Sequence, residues 1–374
     1  MTVRYCARCV YPDTKPDLQL DAAGVCSACR AYASRATVDW DARRAQLLAL
    51  LDRYRTPDGY DCLVPVSGGK DSMFQVRTML DLGARPLAVT ATTDHLTPLG
   101  RRNLVALQHL GVDHVTVTPN PVLRYRLNRY CLETVGDISW PEHVAIFTIP
   151  VQVAVRYGIP LIIWGENSQH EYGGPATAQQ ASTLTNRWLQ EFGGLLGLRV
   201  ADLPEIFPDV PARAWGVYQY PDDAALARVG VTGLFLGYFL PWDGQANAAQ
   251  ATAYGWSRAP GLVEGSLADY ENLDNAQTGI HDYFKFLKFG FGRATDIACN
   301  LIRRGRLDRA DAVRLVPQRE RFPWTYLGVP LADVLARLGM TVAQFVAVCD
   351  RFTNPALFDG KHADGTPRLR EPLA

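Results

Sequence analysis

One short stretch limits what this chain of 374 residues can fold into: Ser-Gly-Gly-Lys-Asp-Ser at residues 67–72. Residues 62–66 before it are apolar and typical of a buried strand, and residues 71–80 carry apolar side chains at helical spacing. The two glycines therefore occupy a turn between a strand and a helix, where they allow the backbone to approach a ligand closely. Backbone amides and the helix dipole favour phosphate at such a position.

Better-known phosphate loops do not fit this stretch. A Walker A loop requires Gly where Val64 stands and Ser or Thr where Asp71 stands, and the dinucleotide fingerprint Gly-x-Gly-x-x-Gly is also absent from the turn. The stretch instead resembles the Ser-Gly-Gly-x-Asp-Ser loop of the PP-loop ATP pyrophosphatases. That family cleaves ATP to AMP and pyrophosphate and uses AMP to activate an oxygen for displacement.

This resemblance implies ATP and Mg²⁺ as cofactors. Lys70 would neutralise phosphate charge, and the Asp71 carboxylate would hold Mg²⁺ near the pyrophosphate. We predict that Lys70 and Asp71 are catalytic and that the loop binds the nucleotide through Ser67, Gly68, Gly69, Asp71 and Ser72.

Strands and helices alternate after this loop, which predicts an α/β fold with a doubly wound parallel sheet. The predicted strands are residues 85–92, 113–118 and 160–164, and the predicted helices are residues 38–54, 99–110, 123–135 and 142–157. Ligands of such sheets bind beyond the carboxyl ends of the strands. We therefore expect Thr92, Asp94 and Gly165 near the nucleotide. Asp94 has the equal alternative of a helix-entry residue.

Two Cys-x-x-Cys pairs near the N-terminus have the spacing of a four-thiolate zinc site. The predicted ligands are Cys6, Cys9, Cys26 and Cys29. The residues between the pairs are turn-forming rather than apolar, so metal binding would supply the folding free energy. The alternative is a free or redox-active set of thiols. We expect a structural role, because four thiolates leave no open coordination position.

The remaining composition narrows the class of protein. The formal net charge is zero and 48% of residues are hydrophobic, so we expect a sizeable core and no nucleic-acid or membrane partner. No signal peptide or membrane span is visible, which predicts a cytoplasmic protein. We expect a zinc ribbon at residues 1–35, a PP-loop domain at 36–245 and a helical substrate- or partner-binding region at 246–374.

Three further stretches combine polar, aromatic and glycine residues: 164–174, 235–244 and 281–293. Together with the cysteines and the Ser-Gly-Gly-Lys-Asp-Ser loop, they resemble the N-acetyl sugar amidotransferases of bacterial surface-polysaccharide and nonulosonic-acid biosynthesis. That family converts the acetamido group of a sugar, usually UDP-linked, into an acetamidino group. ATP adenylates the amide oxygen, ammonia from a separate glutaminase attacks, and AMP leaves.

The resemblance also implies roles for residues in these stretches. Catalytic roles fall to Glu166, His281 and Lys288, and contacts to the substrate fall to Asn167, Glu171, Tyr172, Tyr238, Trp242, Asp243, Lys285 and Arg293. The carboxylates would bind Mg²⁺, orient ammonia or hold the acetamido nitrogen, and the cations would face phosphate or UDP. Simpler roles stay open: Lys285 and Lys288 as solvated helix residues, His281 as a helix cap, and the aromatic residues as core.

Two other functions compete with the amidotransferase. A PP-loop sulfur transferase acting on tRNA or a metabolite would need a free cysteine among Cys62, Cys131, Cys299 and Cys349. A non-catalytic ATP-binding module would bind ATP without releasing pyrophosphate. No cysteine lies in a Gly-x-Cys-x-Gly motif, so the sequence contains no recognisable glutaminase and would take ammonia from elsewhere.

Overall fold

The structure is a computed structural model that describes residues 2–167, 171, 182–184 and 196–373. Its centre is a six-stranded sheet with the strand order β3-β2-β1-β4-β6-β5. The strands are β1 (Cys62–Pro65), β2 (Pro86–Ala91), β3 (His114–Val117), β4 (Leu161–Trp164), β5 (Thr183–Leu184) and β6 (Thr232–Phe235).

All pairings in this sheet are parallel except that of β5, which runs antiparallel to β6. The central strands β1, β2 and β4 consist almost entirely of buried residues, as expected for a sheet covered on both faces. The predicted doubly wound α/β fold is therefore confirmed. Strand β6 was not predicted, because its sequence Thr-Gly-Leu-Phe is short and contains a glycine, which is depleted in strands.

Helices of the first half of the chain cover the sheet. They are α1 (Ser27–Ser34), α2 (Trp40–Tyr54), α3 (Lys70–Asp81), α4 (Pro98–Gln108), α5 (Pro121–Val135) and α6 (Trp140–Tyr157). One apolar core joins α2 and α3 to one face of the sheet, and a second core joins α5 and α6 to the other. The predicted helices match within a few residues.

The second half is mostly helical, as predicted. After α7 (Leu203–Ile206) and a 3₁₀ segment (Ala212–Tyr218) come α8 (Asp223–Val229), α9 (Leu236–Phe239), α10 (Gly244–Ala253), α11 (Thr278–Phe289), α12 (Arg293–Arg303), α13 (Arg309–Arg319), α14 (Leu331–Arg337) and α15 (Val342–Phe352). Two small antiparallel pairs complete it: β7 (Thr325–Tyr326) with β8 (Val329–Pro330), and β9 (Phe358–Lys361) with β10 (Pro367–Leu369).

Two smaller apolar cores organise this half. Helices α11, α14 and α15 share one of them, and in the other α12 and α13 pack against the N-terminal cysteine segment. In the described part of the chain, no single helix is long and apolar enough to cross a membrane. The bent pair α14 and α15, which meet at 93°, satisfies that test only when the two are taken together.

Candidate active site

The loop at residues 67–72 connects β1 to α3 in the conformation that its glycines predict. Gly68 has a φ of +83°, and a Cβ at this position would lie 2.9 Å from Leu104 Cγ. The Gly68 carbonyl accepts a hydrogen bond from Trp256 Nε1 at 3.0 Å. A larger residue would therefore be strained and would clash with α4.

Hydroxyl groups fix the rest of the turn. The Ser67 amide donates to Ser72 Oγ at 2.9 Å, and the Gly69 amide donates to Ser67 Oγ at 3.3 Å. Gly69 is the N-cap of α3, and within the described residues no side chain caps this helix. The first-turn amides of a 12-residue helix thus remain free to bind an anion such as phosphate.

Lys70 is almost fully buried, with 3% of its surface exposed. Its ammonium lies 2.6 Å from Asp71 Oδ2 and 2.9 Å from Glu271 Oε1. Burial opposes the charge of Lys70, but the two carboxylates outweigh burial and raise the pKa of the ammonium above its usual value. Two of its three N–H donors are thereby used, which leaves one for a ligand. Asn247 Nδ2 donates to Asp71 Oδ1 at 2.8 Å and fixes the second carboxylate oxygen.

Glu166 follows β4 and lines the same cleft as Lys70 and Asp71. The backbone amide of Glu166 and the Lys70 ammonium partly stabilise its charged form. Burial and the nearby Asp71 carboxylate raise the pKa of Glu166 to about 7. A carboxyl group with this pKa can accept or release a proton near neutral pH.

An arginine-rich wall forms the opposite side of the cleft. Glu171 pairs with Arg35 at 2.6 Å and with Arg304 at 3.0 Å. Asp243 pairs with Arg306 at 2.8 Å and with Arg304 at 3.3 Å, and it also caps the N-terminus of α10. Arg304 links the two carboxylates, so residues from distant segments form one network around the cleft.

The space between these walls is a narrow cleft of about 40 Å³. Of the predicted site residues it brings together Lys70, Asp71, Glu166, Glu171, Trp242 and Asp243. It also contains Tyr270, Glu271 and Asn300, which the sequence analysis did not select. Nothing in the local sequence around Glu271 marks it, because its partner Lys70 lies about 200 residues earlier in the chain.

The predicted nucleotide-binding residues after β2 have different surroundings. The side chain of Asp94 is fully buried, and it accepts hydrogen bonds from Gln277 at 2.8 Å and from Arg124 at 3.4 Å. Thr92 accepts at its carbonyl from Arg124 at 2.6 Å, while its hydroxyl has no partner within the described residues. Asp94 thus joins α5 to the turn before α11, and its predicted contact with the nucleotide stays a prediction.

Close packing surrounds Gly165 at the end of β4. A Cβ there would lie 2.5 Å from Gln75 Nε2 and 3.4 Å from the Trp242 ring. The Trp242 ring packs edge-to-face on Phe74 at 5.3 Å and is 5% exposed. The Tyr238 ring packs against the Arg43 guanidinium at 3.7 Å. Both rings thus have protein partners already.

Several predicted residues lie away from the cleft lining. Lys285 pairs with Asp296, and Arg293 forms a bidentate pair with Asp282 at 3.0 Å on the wall of another cavity. Asn167 is buried, and its carbonyl accepts from the Glu171 amide at 3.1 Å. Tyr172 lies outside the described residues. The proposed substrate contacts of these residues stay predictions.

A separate cluster of titratable side chains surrounds His281. Its Nδ1 lies 2.8 Å from Asp137 Oδ1, and its ring packs edge-to-face on His143 with 5.2 Å between ring centres. Burial opposes protonation of His281, but Asp137 outweighs burial and raises its pKa. Burial lowers the pKa of His143 and also that of Lys288, whose ammonium donates to the Val135 carbonyl at 3.3 Å.

The four N-terminal cysteines converge as their spacing predicts. The sulfur atoms of Cys6, Cys9, Cys26 and Cys29 all lie within 4.8 Å of one another, and all four residues are buried. The Cys26 amide donates to Cys6 Sγ at 3.2 Å, a contact that stabilises a thiolate. Four thiols at this spacing are compatible with tetrahedral zinc.

This cysteine segment contacts α12 and α13, the two helices that flank Arg304 and Arg306. The Tyr11 hydroxyl donates to Asp296 on α12 at 2.9 Å, and Arg303 lies over the Tyr11 ring at 5.7 Å. Arg303 also donates to the Glu171 carbonyl at 3.0 Å. Arg309 donates to the carbonyls of Cys6 and Cys9.

The comparisons with known proteins agree with part of this description. The family model for the C-terminal domain of LPS biosynthesis protein WbpG-like proteins matches residues 263–370, the region that contains Glu271, Arg304 and the histidine His281. No curated protein matches this chain.

Solved structures similar to this chain include synthetases from three bacteria. The NMN synthetase from Francisella tularensis has 16% identity and a TM-score of 0.28, and the match covers 58% of this chain and 92% of that one. The NH3-dependent NAD synthetase from Campylobacter jejuni has 12% identity and a TM-score of 0.28, and the match covers 61% of this chain and 100% of that one. NAD+ synthetase from Burkholderia pseudomallei has 16% identity and a TM-score of 0.27, and the match covers 63% of this chain and 95% of that one. The strand order β3-β2-β1-β4-β6-β5 of this chain defines its fold.

Proposed function

We propose that this protein is an ATP-dependent, AMP-forming amidotransferase that converts the acetamido group of a sugar, in the form of a UDP-linked derivative, into an acetamidino group. The observation that carries the proposal is the loop at residues 67–72, with free amides at the start of α3 and a buried Lys70 that has one N–H donor left. The match of residues 263–370 to an LPS biosynthesis domain supports a sugar substrate.

In the proposed reaction, the acetamide oxygen attacks the α-phosphorus of ATP and pyrophosphate leaves. Ammonia then adds to the activated carbon, and AMP departs with the former amide oxygen. Catalysis of this kind depends mostly on positioning and on charge stabilisation. The first-turn amides of α3 and Lys70 would bind phosphate oxygens, and Asp71 would hold Mg²⁺, which neutralises charge on the pyrophosphate.

Glu166 is the candidate proton acceptor for the ammonium ion or for the tetrahedral intermediate. It lines the cleft beside Lys70 and Asp71, and the pKa of its carboxyl group is raised to about 7. Arg304 and Arg306 would bind the anionic part of the acceptor after exchanging one of their carboxylate partners. Residues 246–374 supply Arg304 and Arg306 and would bind substrate or partner, and a separate glutaminase would supply ammonia.

The sulfur-transfer alternative receives less support. Cys62, Cys131, Cys299 and Cys349 are at most 4% exposed, and none of them lines the described cleft. Burial raises the pKa of the Cys62 thiol to about 12 and raises the pKa of Cys131 and Cys349 as well. Because the thiolate is the nucleophile, these environments disfavour a sulfur carrier.

An oxygen-transfer experiment tests the proposal. UDP-linked acetamido sugars carrying heavy-isotope oxygen in the acetamide are incubated with Mg-ATP, ammonium salt and the protein, and AMP is analysed by mass spectrometry. We expect heavy oxygen in AMP and a sugar product in which NH replaces oxygen. AMP formed without heavy oxygen would exclude adenylation of the amide.

A metal analysis tests the proposed zinc ligands independently. We expect one zinc per chain in freshly purified protein and loss of that zinc in Cys26→Ser. Cys349→Ser is the matched control because Cys349 is also buried but lies in α15, away from the cysteine segment. Retention of full zinc by Cys26→Ser would contradict the assignment.

A further inference from the structure

Buried polar side chains fill the space between α5, α6 and the turn before α11. We call this group the polar chamber; its members are Asp94, Arg124, Asn128, Glu142 and Gln277. Gln277 Nε2 donates to Asp94 Oδ2 at 2.8 Å, and Asn128 Nδ2 donates to Glu142 Oε2 at 2.9 Å. None of these five residues is more than 8% exposed.

Several atoms of the polar chamber lack hydrogen-bond partners within the described residues. They include two acceptors, Glu142 Oε1 and Asn128 Oδ1. Beside the chamber, the hydroxyl of Tyr218, in the 3₁₀ segment that packs against α6, also has no partner among the described residues. One donor, Arg124 Nε, is also unpaired, and its distance of 4.0 Å from Glu142 Oε1 is too long for a hydrogen bond. Buried polar groups rarely stay unpaired, so we expect the chamber to bind a ligand with several hydrogen-bond donors.

The charges of the polar chamber also indicate the kind of ligand it would bind. It holds one cation, Arg124, and two carboxylates, Asp94 and Glu142. Burial raises the pKa of Glu142 to about 8, against the opposing effect of Arg124, and burial also raises the pKa of Asp94. Tyr218 is close enough for the charges of Glu142 and Arg124 to act on the pKa of its phenol. When Glu142 is ionised, the group carries one uncompensated negative charge, which a single bound cation would balance.

We propose that the polar chamber is a binding site for an ammonium ion, held by Glu142, Asn128 and Tyr218. Ammonium carries four N–H donors and no acceptor, which matches an excess of unpaired acceptors. Mg²⁺ fits less well because it requires near-octahedral oxygen ligands. The N–H donors of Arg124 and Gln277 within the chamber also disfavour a cage made only of oxygen.

The position of the polar chamber suits a nitrogen donor. Arg124 joins it to the carbonyl of Thr92 at the carboxyl end of β2, the edge of the sheet where ligands of such folds bind. His143, which follows Glu142 in α6, lies on another side of the polar chamber. The side chain of His143 is 26% exposed to solvent. The purpose of the site rests on the proposed amidotransferase, whereas ammonium binding itself can be measured without turnover.

Thermal unfolding in chloride salts of equal ionic strength tests the site. Wild-type protein, Glu142→Gln and Glu133→Gln are compared in ammonium, potassium and sodium chloride at pH 8. Glu133 is the matched control because it lies on α5 and pairs with Arg129 at the surface. At ammonium concentrations about ten times Kd we expect a rise in Tm of about 2 °C over sodium for wild type and Glu133→Gln. For Glu142→Gln we expect no such rise.

Crystals grown with thallium(I), an anomalous scatterer of similar size and charge, locate the ion. We expect an anomalous peak within contact distance of Glu142 Oε1 in wild type and none in Glu142→Gln. Equal Tm in ammonium and sodium, an ammonium effect that survives in Glu142→Gln, or only water at the position would overturn the proposal. Since neither measurement depends on ATP, failure here leaves the amidotransferase proposal to be decided by its own experiment.

Discussion

The cleft beside Lys70 and the polar chamber beside Glu142 both contain buried charges, but they are built differently. In the cleft, Lys70, Asp243, Glu171 and the arginines each have an opposite charge within about 3 Å. In the polar chamber, unpaired acceptors outnumber unpaired donors, and two carboxylates share one arginine. Paired charges can exchange partners when a ligand arrives from solvent, whereas an unbalanced buried group is completed by its ligand.

The strongest test of the cleft is removal of its buried cation. We expect Lys70→Ala to lower AMP formation by about 10²–10³-fold, because loss of one preorganised charge at the reacting phosphate has an effect of this size. Asp71→Ala should have a comparable effect through loss of the Mg²⁺ ligand. Lys361→Ala, which removes an exposed pair with Asp350, is the control and should retain the wild-type rate.

The next largest effect should come from the polar chamber and its dependence on pH. The pKa of Glu142 is about 8 in the folded protein and near 4.3 in the unfolded chain, so the folded state binds more protons between these values. Stability should therefore fall as pH rises from about 5 to 8, by roughly 3 kcal/mol from this group.

Urea unfolding of wild type and Glu142→Gln at several pH values measures this contribution. We expect the variant to lose this part of the pH dependence and to be the more stable protein at pH 8. The groups that face Glu142 must keep their positions in the variant for the difference in free energy of unfolding to be assigned to Glu142. These groups are Arg124, Asp94, Tyr218 and Asn128. Ammonium should reduce the slope in wild type alone, and parallel pH profiles for the two proteins would contradict the assignment.

A smaller effect should show how much Glu271, in addition to Asp71, raises the pKa of Lys70. We expect Glu271→Gln to lower the pKa of Lys70 by about one unit, since one carboxylate beside the ammonium is removed. Asp71, Glu166 and Asp274 also face Lys70 and remain in place.

Competitive acetylation of Lys70, followed by mass spectrometry across a pH series, detects this change. The control is Asp269→Asn, two residues upstream, which pairs with Arg258 instead. An unchanged reactivity profile in Glu271→Gln would mean that Asp71 alone sets the charge of Lys70.

The smallest expected effect concerns the exposed end of the arginine wall. Arg306 is 37% exposed, so its pair with Asp243 should contribute less than about 1 kcal/mol to stability. We expect Arg306→Ala to leave Tm nearly unchanged while raising the KM for an anionic acceptor and not that for ATP. Equal increases in both constants would argue against an acceptor-binding wall.

The sequence predicted the parts of the molecule that are determined locally. The turn at residues 67–72 depends on two glycines and on adjacent strand and helix patterns, and the four cysteines depend on spacing. Both were found where they were expected. The sheet followed from apolar runs bounded by turn residues, except for β6, whose four residues lack such a pattern.

The sequence could not predict pairings between distant segments. Glu271 reaches Lys70, and Arg304 reaches Glu171, only because the helical half of the chain folds back over the end of the sheet. The polar chamber had no motif either, because Glu142 and Asn128 lie among apolar residues of two helices that individually resemble ordinary core helices.

The adjacent residues Arg303 and Arg304 have a practical consequence for work with shortened versions of this chain. One contacts the ring of Tyr11 and the other lines the cleft, so the cysteine segment and the arginine wall meet across a single peptide bond. A version that begins at residue 36 would expose Phe291 and Ala298, which the segment now covers. Such a truncation should aggregate on expression, and adding the missing segment as a separate peptide should recover soluble protein.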